Sequence, residues 1–275
     1  MGKILVFDTE TTDITPIFND SLSYKERNDI SNGLDCKDWD TAITYWNTWI
    51  NKWPHIIQLS YIVYDTEYPK KSKIFNEYVN LEKDIQISNK ASELTHIYKS
   101  HEDAINKCVN PKSTNIYLLD KLAGCSIVEI IDKFMQDFND CDYVVAHNAD
   151  FDKKMILSEL KRLCKYDEMK TLFNSTKFVC TMKKTIPICK IIGTYKNGNT
   201  YFKYPTLLEA YEKITGNKIE KNSLHNALID VVMCLRIFCK LGDPYNIEIY
   251  GKNKEITKII DIITLRRKSP RFISI

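Results

Sequence analysis

Two acidic residues lie directly after a short apolar run near the start of the chain. Residues 4–7 of KILVFDTETTD are apolar and predict a buried strand that ends in polar residues. Side chains two residues apart in a strand point the same way, so we expect Asp8 and Glu10 on one face and Thr9 on the other. Neighbouring carboxylates repel each other unless a cation lies between them, and oxygen ligands suit Mg²⁺ or Mn²⁺ better than zinc. The pair therefore predicts a divalent-cation site at the end of a strand.

A third carboxylate, Asp152, lies near the start of a predicted helix. The apolar run at residues 143–146 predicts a second buried strand, and apolar residues at helical spacing from Phe151 to Cys164 predict the helix that follows. The helix dipole favours a carboxylate at this position whether or not the carboxylate binds metal. Helix capping is therefore the alternative interpretation of Asp152 and of its neighbour Asp150.

A histidine and a fourth carboxylate lie close together in NSLHNALIDVVMCLRIFCKL. This segment predicts a long apolar helix with Asp230 in its early turns, where a charged residue needs a partner because unpaired burial is costly. His225 comes five residues earlier, which separates the two side chains by about 140° on a regular helix. We therefore expect His225 on the loop or first turn before the helix, with Asp230 held by the helix itself.

Taken in this order, the four carboxylates and the histidine resemble the DEDDh family of 3′→5′ exonucleases within the ribonuclease H-like superfamily. DTET resembles the first family motif, HNADFD the second and HNALID the third. Weaker family-like stretches are PHIIQLSYIVYD, ASELTHI, FVCTM and YPTLLEAYEKITG. The resemblance covers most of the chain up to about residue 241, apart from segments near 13–52 and 99–124.

This resemblance implies a nuclease that depends on two divalent cations, Mg²⁺ or Mn²⁺. It implies that both cations share Asp8, that Glu10 and Asp230 complete the first, and that Asp152 supports the second directly or through water. His225 would accept the proton of the attacking water, since an unperturbed histidine titrates at about pH 6.5. The expected products are nucleoside 5′-monophosphates, released one at a time from a free 3′ end.

The resemblance also implies a set of substrate-binding residues around the terminal nucleotide: Thr9, Thr11, Thr12, Leu94, Thr95 and Asn148. Other roles stay open for several of them, because threonine is common at strand ends and Leu94 is equally suited to a core. His147 is expected either to approach the phosphate or to brace the turn beside Asn148.

DNA with a free 3′ end, single-stranded or frayed, is the favoured substrate, and two other functions stay open. The first is an exoribonuclease that trims RNA, because acids that bind metal and phosphate do not select the sugar. The second is a replication accessory that binds nucleic acid without cutting it. A polymerase or another replication protein is the partner that either DNA function suggests.

The apolar pattern predicts an α/β fold, which the resemblance specifies as a ribonuclease H-like mixed central sheet flanked by helices. Strands are expected near residues 3–8, 56–64, 73–81 and 143–146. Helices are expected near residues 126–138, 153–164, 206–215 and 225–241. We expect a single exonuclease domain over 1–275, with three additions: a Trp-rich segment at about 13–52, an extra segment at about 99–124, and a basic C-terminal extension at 251–275.

Two of these additions have distinctive compositions. All four tryptophans, Trp39, Trp46, Trp49 and Trp53, would occupy about 80° of arc on a helix and form one aromatic stripe. Packing against the domain is favoured over stacking with unpaired bases, and Pro54 disfavours helical geometry at Trp53. The C-terminal extension has seven basic and two acidic residues, in a chain of net charge +3, and predicts either phosphate contacts or a solvated end. Its isoleucines at 259–263 predict a packed helix.

The nine cysteines include no CxxC pair and no Cys/His spacing typical of zinc. We therefore expect an intracellular protein in a reducing compartment, either cytoplasm or nucleus, with Cys234 and Cys239 as packing residues. Neither a signal peptide nor an apolar segment of membrane-spanning length is recognisable, and no membrane partner is expected. The abundance of Lys, Asn and Ile fits an AT-rich genome, that of a large DNA virus included.

Overall fold

The computed structural model describes residues 2–16, 22–33, 36–107, 116–219, 226–242 and 246–265. Its strands are β1 (Lys3–Thr11), β2 (Ile56–Asp65), β3 (Lys73–Tyr78), β4 (Ile97–Tyr98), β5 (Tyr117–Leu118), β6 (Tyr143–Ala146), β7 (Phe178–Cys180), β8 (Ile192–Thr194) and β9 (Thr200–Phe202). Its α-helices are α1 (Tyr24–Gly33), α2 (Trp39–Trp49), α3 (Asn89–Thr95), α4 (His101–Asn106), α5 (Ile127–Asn139), α6 (Ala149–Arg162), α7 (Tyr166–Asn174), α8 (Thr181–Cys189), α9 (Leu207–Thr215), α10 (Ala227–Cys239) and α11 (Lys254–Leu265). The strands and helices expected from the sequence are all present, although β1 continues to Thr11 and α6 begins at Ala149.

The described strands form one mixed five-stranded sheet and two small two-stranded sheets. In the large sheet the order is β3-β2-β1-β6-β7. β1 is antiparallel to β2 and parallel to β6, and β6 is parallel to β7. β4 and β5 form a parallel pair, and β8 and β9 form an antiparallel hairpin. The mixed central sheet predicted from the sequence is therefore confirmed.

Strand β1 is buried on both faces, and its alternation divides the core in two. Leu5 and Phe7 face the helices α5 and α6, where the ring centroids of Phe7 and Phe134 lie 5.2 Å apart. Ile4 and Val6 face the opposite side and pack with the apolar residues of α10. Because side chains alternate along a strand, Asp8 and Glu10 continue the face that α10 covers.

The Trp-rich segment packs through α2 against the face of the sheet that α5 and α6 cover. Trp46 and Trp53 are buried in the core with ring centroids 5.1 Å apart, and Trp39 packs edge-on against Phe173 of α7. The packing interpretation is therefore confirmed for these tryptophans. The single helical stripe is wrong for Trp53, because α2 ends at Trp49 and Trp53 is extended before Pro54.

Arg162 joins this segment to α6. Its guanidinium donates to the carbonyl oxygens of Trp53 at 2.6 Å and Pro54 at 3.1 Å, and to the buried carboxylate of Glu159 at 2.9 Å. Glu159 also accepts a hydrogen bond from the backbone N–H of Ile56. The start of β2, the end of the Trp-rich segment and α6 therefore share one buried polar cluster.

The isoleucines of the C-terminal extension do form a helix. On α11, Ile256, Ile260 and Ile263 are buried in the cluster that includes α10. The basic residues at 266–271 lie outside the described residues, so phosphate contact by this tail remains a prediction. Cys234 and Cys239 are buried on α10, as expected for packing residues. Over the described residues, every helix is too short or too polar to cross a bilayer.

Candidate metal and nuclease site

The end of β1 presents Asp8 and Glu10 on one face. In the register of the sheet, Asp8 pairs with Ser60 and Glu10 with Gln58 on β2, and the register shifts between Glu10 and Thr11. Both carboxylates are half-buried at this strand end. The predicted common face is therefore present in the structure.

Asp230 reaches the same face from α10. This helix begins after Asn226, whose side-chain oxygen accepts from the N–H of Leu228 at 3.2 Å, and Asp230 lies in its first turn. Asp8, Glu10 and Asp230 each offer a carboxylate oxygen, and these oxygens all lie within 4.8 Å of one another. Ligands on opposite sides of one Mg²⁺ lie about 4.2 Å apart, so oxygens this close together can share one cation.

Asp152, on α6, lies beside this trio and is held by β1, the strand that carries Asp8 and Glu10. The backbone N–H and the hydroxyl of Thr9 both donate to Oδ1 of Asp152, at 3.0 and 2.8 Å. Both early acids of α6 lie in its first turn, where the helix dipole favours them, but neither is the N-cap residue, and the side chain of Asp150 pairs with Lys183. The N-cap residue is Asn148, which makes no side-chain capping bond. Thr9, on the opposite face of β1 from Asp8, therefore positions Asp152 beside the other three carboxylates.

The pKa values of Asp8, Glu10 and Asp152 are all raised, by burial first and, for Glu10 and Asp152, by neighbouring carboxylates as well. Burial raises the pKa of Asp8 from 3.8 to about 7. Burial, followed by the charges of Asp8, Asp230 and Asp152, raises the pKa of Glu10 well above its ordinary value. Burial and Asp8 also raise the pKa of Asp152, against the opposing effect of the hydrogen bonds from Thr9. A divalent cation would relieve this repulsion, and four carboxylates are the donor set that Mg²⁺ and Mn²⁺ prefer, so the residues fit such an ion.

His225 lies outside the described residues. The described chain resumes at Asn226, and α10 begins at Ala227, so His225 precedes the helix in sequence. The role of general base therefore remains a prediction for His225.

His147, the histidine of the second motif, braces a turn. Its Nδ1 lies 3.0 Å from the hydroxyl of Thr181 and its Nε2 lies 3.1 Å from the carbonyl oxygen of Pro205. Burial lowers its pKa to about 4. Its neighbour Asn148 is exposed in a left-handed conformation with φ 73°, at the start of the helix that carries Asp152. Of the two, Asn148 is the more exposed.

Thr11, at the end of β1, and Thr12, just after it, connect neighbouring segments. Thr11 donates to the carbonyl of Asp13 at 2.7 Å, whereas Thr12 accepts from the N–H of His55 at 2.9 Å. The carbonyl of Thr12 also accepts from the N–H of Ser88, the N-cap of α3. These contacts hold α3 next to the acidic end of β1.

Of the two α3 residues implied as substrate contacts, only one is accessible. Leu94 is exposed, at 43% of its surface, and is therefore not a core residue. Thr95 is buried and donates its hydroxyl to the carbonyl of Ala91. Contact with a nucleotide remains a prediction for Leu94, Thr95, the three threonines of β1 and its following turn, and Asn148.

A buried polar group on β2 and β3 was not anticipated from the sequence. Gln58 and Ser60 lie directly opposite Glu10 and Asp8, and both donate to the side-chain oxygen of Asn76, at 2.8 and 2.5 Å. Gln58 and Ser60 break an otherwise apolar run at a spacing of two in IIQLSYIVYD, which was the available signal for a polar face.

A second unanticipated group comes from the extra segment near 99–124. Tyr117 stacks on Tyr78 with ring centroids 5.7 Å apart, and its hydroxyl accepts from the side-chain N–H of Asn226 at 3.2 Å. Burial, followed by Tyr117 and the charge of Glu10, raises the pKa of Tyr78. The extra segment therefore contacts both β3 and the residue that precedes α10.

Comparison with known proteins gives matches among solved structures only. No family model matches the chain, and no curated protein matches it either. E. coli exonuclease I in complex with a 5cy-dT13 oligonucleotide superposes with a TM-score of 0.51 and 12% identity, over 95% of this chain and 43% of that one. The same enzyme in complex with a dA16 oligonucleotide gives 0.50 and 13%, over 88% and 41%. A 3′-exonuclease that recognises the histone mRNA stem-loop gives 0.48 and 12%, over 90% and 85%.

These similarities are informative about the fold. The chain spans about two fifths of the length of the exonuclease I chains that it matches. At such low identity the likeness identifies the architecture and leaves the chemistry to be argued from the site. The mixed sheet and the flanking helices agree with that architecture. The chain therefore has the fold of these structures, a mixed central sheet flanked by helices, as the sequence predicts.

Proposed function

We propose that this protein is a metal-dependent 3′→5′ exonuclease of the DEDDh type. The observation that carries the proposal is the convergence of Asp8, Glu10 and Asp230, from the first and third motifs, to within 4.8 Å of one another. Asp152 of the second motif lies beside them through its bonds to Thr9. Residues that are up to 222 positions apart in the chain thus form one acidic centre on an exonuclease fold.

The family resemblance implies two cation positions at the acidic centre. Asp8, Glu10 and Asp230 would hold one cation, and Asp8 with Asp152 would hold the other. When bound, divalent cations supply positive charge that draws phosphate oxygens into the site and favours ionisation of water. The carboxylates themselves fix the position of that charge, since Asp230 is held by a buried helix and Asp152 by two hydrogen bonds.

The reaction is hydrolysis of the last phosphodiester bond. His225 accepts a proton from water as the water oxygen bonds to phosphorus, and the bond from phosphorus to the 3′ oxygen of the preceding nucleotide breaks. That oxygen takes up a proton, and a nucleoside 5′-monophosphate leaves. Leu94 and Asn148, which are exposed near the acidic end of β1, would contact the terminal nucleotide, while Thr9 acts through Asp152.

A nucleic acid with a free 3′ end is the substrate class, and DNA is the favoured member. Exonuclease I structures that match this fold include complexes with DNA oligonucleotides, which supports this choice. We also propose one exonuclease domain over the whole chain, to which the Trp-rich segment contributes core packing.

The test is digestion of DNA and RNA labelled at either end, with Mg²⁺, Mn²⁺ or EDTA. We expect mononucleotide release from the 3′ end that needs the cation, with DNA cut faster than RNA. Asp8→Asn should abolish release, because it removes a carboxylate shared by both cation positions. Asp140→Asn is the matched control, since Asp140 lies at the far end of β1 beside Lys3 and should leave activity unchanged.

Direct metal binding provides the second readout. Calorimetric titration with Mn²⁺ should show binding to the wild type and to Asp140→Asn, and weakened binding to Asp8→Asn and Asp230→Asn. Cation-independent cleavage, release from the 5′ end, or full activity of Asp8→Asn would each contradict the proposal. End binding without any product would instead indicate the non-cutting accessory.

A further inference from the structure

The β8–β9 hairpin exposes a pair of stacked tyrosines. The rings of Tyr195 and Tyr201 lie face to face, with centroids 4.3 Å apart and planes 29° apart. They are nonetheless 55% and 40% exposed, and the flanking Phe202 and Tyr204 are exposed as well. Large exposed apolar groups concentrated in one place usually mark a binding surface.

The hairpin holds this pair in place without any ligand. Tyr201 pairs across the hairpin with Gly193, and a Cβ added to Gly193 would come within 2.7 Å of the Tyr201 ring, so only glycine leaves room for it. The turn closes through a hydrogen bond from the N–H of Gly198 to the carbonyl of Tyr195 at 2.9 Å, with Gly198 at φ 87°. Since the rings are already ordered, binding a flat partner costs little conformational entropy.

The segment that carries the hairpin is positively charged, although the whole chain is almost neutral. Residues 181–208 contain five lysines and no acidic residue, whereas the whole chain carries a net charge of +3. Lys183 pairs with Asp150 and Lys203 pairs with Glu209. Lys196 is exposed on the hairpin itself, and Lys190 is exposed near its base. This surface therefore combines aromatic faces with positive charge, which suits a polyanion that carries flat rings.

The base of the hairpin is anchored next to the acidic centre. His147 contacts Thr181, at the start of α8, and Pro205, three residues after β9. The second motif therefore holds both ends of the segment that carries the hairpin. Asp150, two residues before Asp152, adds a second tie through Lys183. A nucleic-acid strand with its 3′ end at the carboxylates would therefore pass close to the base of the hairpin.

We propose that the hairpin binds single-stranded nucleic acid on the 5′ side of the nucleotide being cleaved. A base stacks on the Tyr195–Tyr201 pair, and Lys190 and Lys196 contact the neighbouring phosphates. The identity of the ligand rests on the proposed exonuclease function, whereas the surface itself is defined by the exposed rings and lysines.

The test compares oligonucleotides of increasing length. Fluorescence anisotropy in EDTA measures affinity for oligothymidylates of about 3 to 12 nucleotides without cleavage. We expect the wild type to gain affinity with length, and Tyr195→Leu/Tyr201→Leu to bind the longest one about 5-fold or more weakly while binding the shortest one equally well. Lys190→Gln and Lys196→Gln should each make the salt dependence shallower, by a slope of about 0.7.

The matched control uses the same chemistry elsewhere on the surface. Tyr68 is 57% exposed with the Lys71 ammonium 4.6 Å from its ring centroid, in the turn between β2 and β3 at the opposite end of β1 from the carboxylates. Tyr68→Leu/Lys71→Gln should leave the affinity for every length unchanged. Gly193→Val, which displaces Tyr201, should weaken binding of long oligonucleotides as the double tyrosine variant does.

Hydrolysis of a small substrate separates this proposal from the exonuclease proposal. The p-nitrophenyl ester of thymidine 5′-monophosphate is too short to reach the hairpin, so the tyrosine variant should hydrolyse it at the wild-type rate. Failure of the wild type to hydrolyse any substrate would contradict only the proposed function, because anisotropy still measures the hairpin. Unchanged affinity of the tyrosine variant would overturn the hairpin proposal. An equal loss of affinity in the Tyr68 control would overturn it too, as would a tyrosine variant that changes only its mass in solution and not its affinity.

Discussion

Replacing Thr9 by valine tests how the acidic centre is held together. The hydroxyl of Thr9 donates to buried Asp152 at 2.8 Å, and valine has the same shape without the donor. A hydrogen bond to a charged group contributes about 1.5–3 kcal/mol, which corresponds to about 10- to 100-fold in affinity. The backbone N–H of Thr9 still donates at 3.0 Å, so we expect the lower end of that range.

The assay is the Mg²⁺ concentration that gives half-maximal release of mononucleotides. Thr9→Val should raise it about 10-fold, a typical effect of losing a group that orients a metal ligand. Thr9→Ser keeps the hydroxyl and is the matched control, with metal dependence close to wild type. As the pH is lowered, the valine variant should lose activity at a higher pH than the wild type, because the hydrogen bonds from Thr9 lower the pKa of Asp152.

Two results would refute this reasoning. If Thr9→Val and Thr9→Ser show the same metal and pH dependence, Thr9 does not position Asp152 in the working enzyme. If Thr9→Val raises KM for the oligonucleotide and leaves the metal dependence unchanged, Thr9 contacts the nucleotide, as the family resemblance implies.

Three further predictions concern stability and catalysis. In EDTA the unfolding temperature should fall as pH rises from about 4 to about 7, since burial raises the pKa of Asp8 from 3.8 to about 7 and the folded state then binds more protons than the unfolded state. Mg²⁺ should restore the lost stability at pH 8. An unfolding temperature that rises with pH in EDTA, measured by calorimetry, would contradict this prediction. His225→Ala should lower kcat by about 10²- to 10⁴-fold with little effect on Mn²⁺ binding, and an unchanged kcat would exclude it as the base. Trp46→Ala should destabilise the fold by about 3–5 kcal/mol in urea unfolding, and half-buried Trp39→Ala by less; equal small losses would contradict the packing role.

The sequence predicts those parts of the fold that depend on local periodicity. β1 and β6 are continuous apolar runs because both faces are buried, and α10 is a long apolar helix in which Asp230 stands out. Asp8 and Glu10 could be assigned to one face because side chains alternate in every strand. The motifs, read in order, then identify which acids converge.

Features that depend on pairing between distant segments could not be read from the sequence. The bond from Thr9 to Asp152 joins residues 143 positions apart, and nothing local to Asp152 distinguishes it from a helix-capping acid. The polar cluster of Gln58, Ser60 and Asn76 requires the register of β2 and β3. The hairpin at β8 and β9 is short and exposed on both faces, so it lacks the alternation that marks a half-buried strand.

The most direct test of the account is the position of Mn²⁺ in crystals grown with the cation and a nucleoside 5′-monophosphate. Anomalous scattering should give a peak coordinated by Asp8, Glu10 and Asp230, and a second peak between Asp8 and Asp152. Asp230→Asn should remove or weaken the first peak. Peaks elsewhere on the protein, or carboxylates of this group turned apart with no cation among them, would contradict the central claim that the four acids form one metal centre.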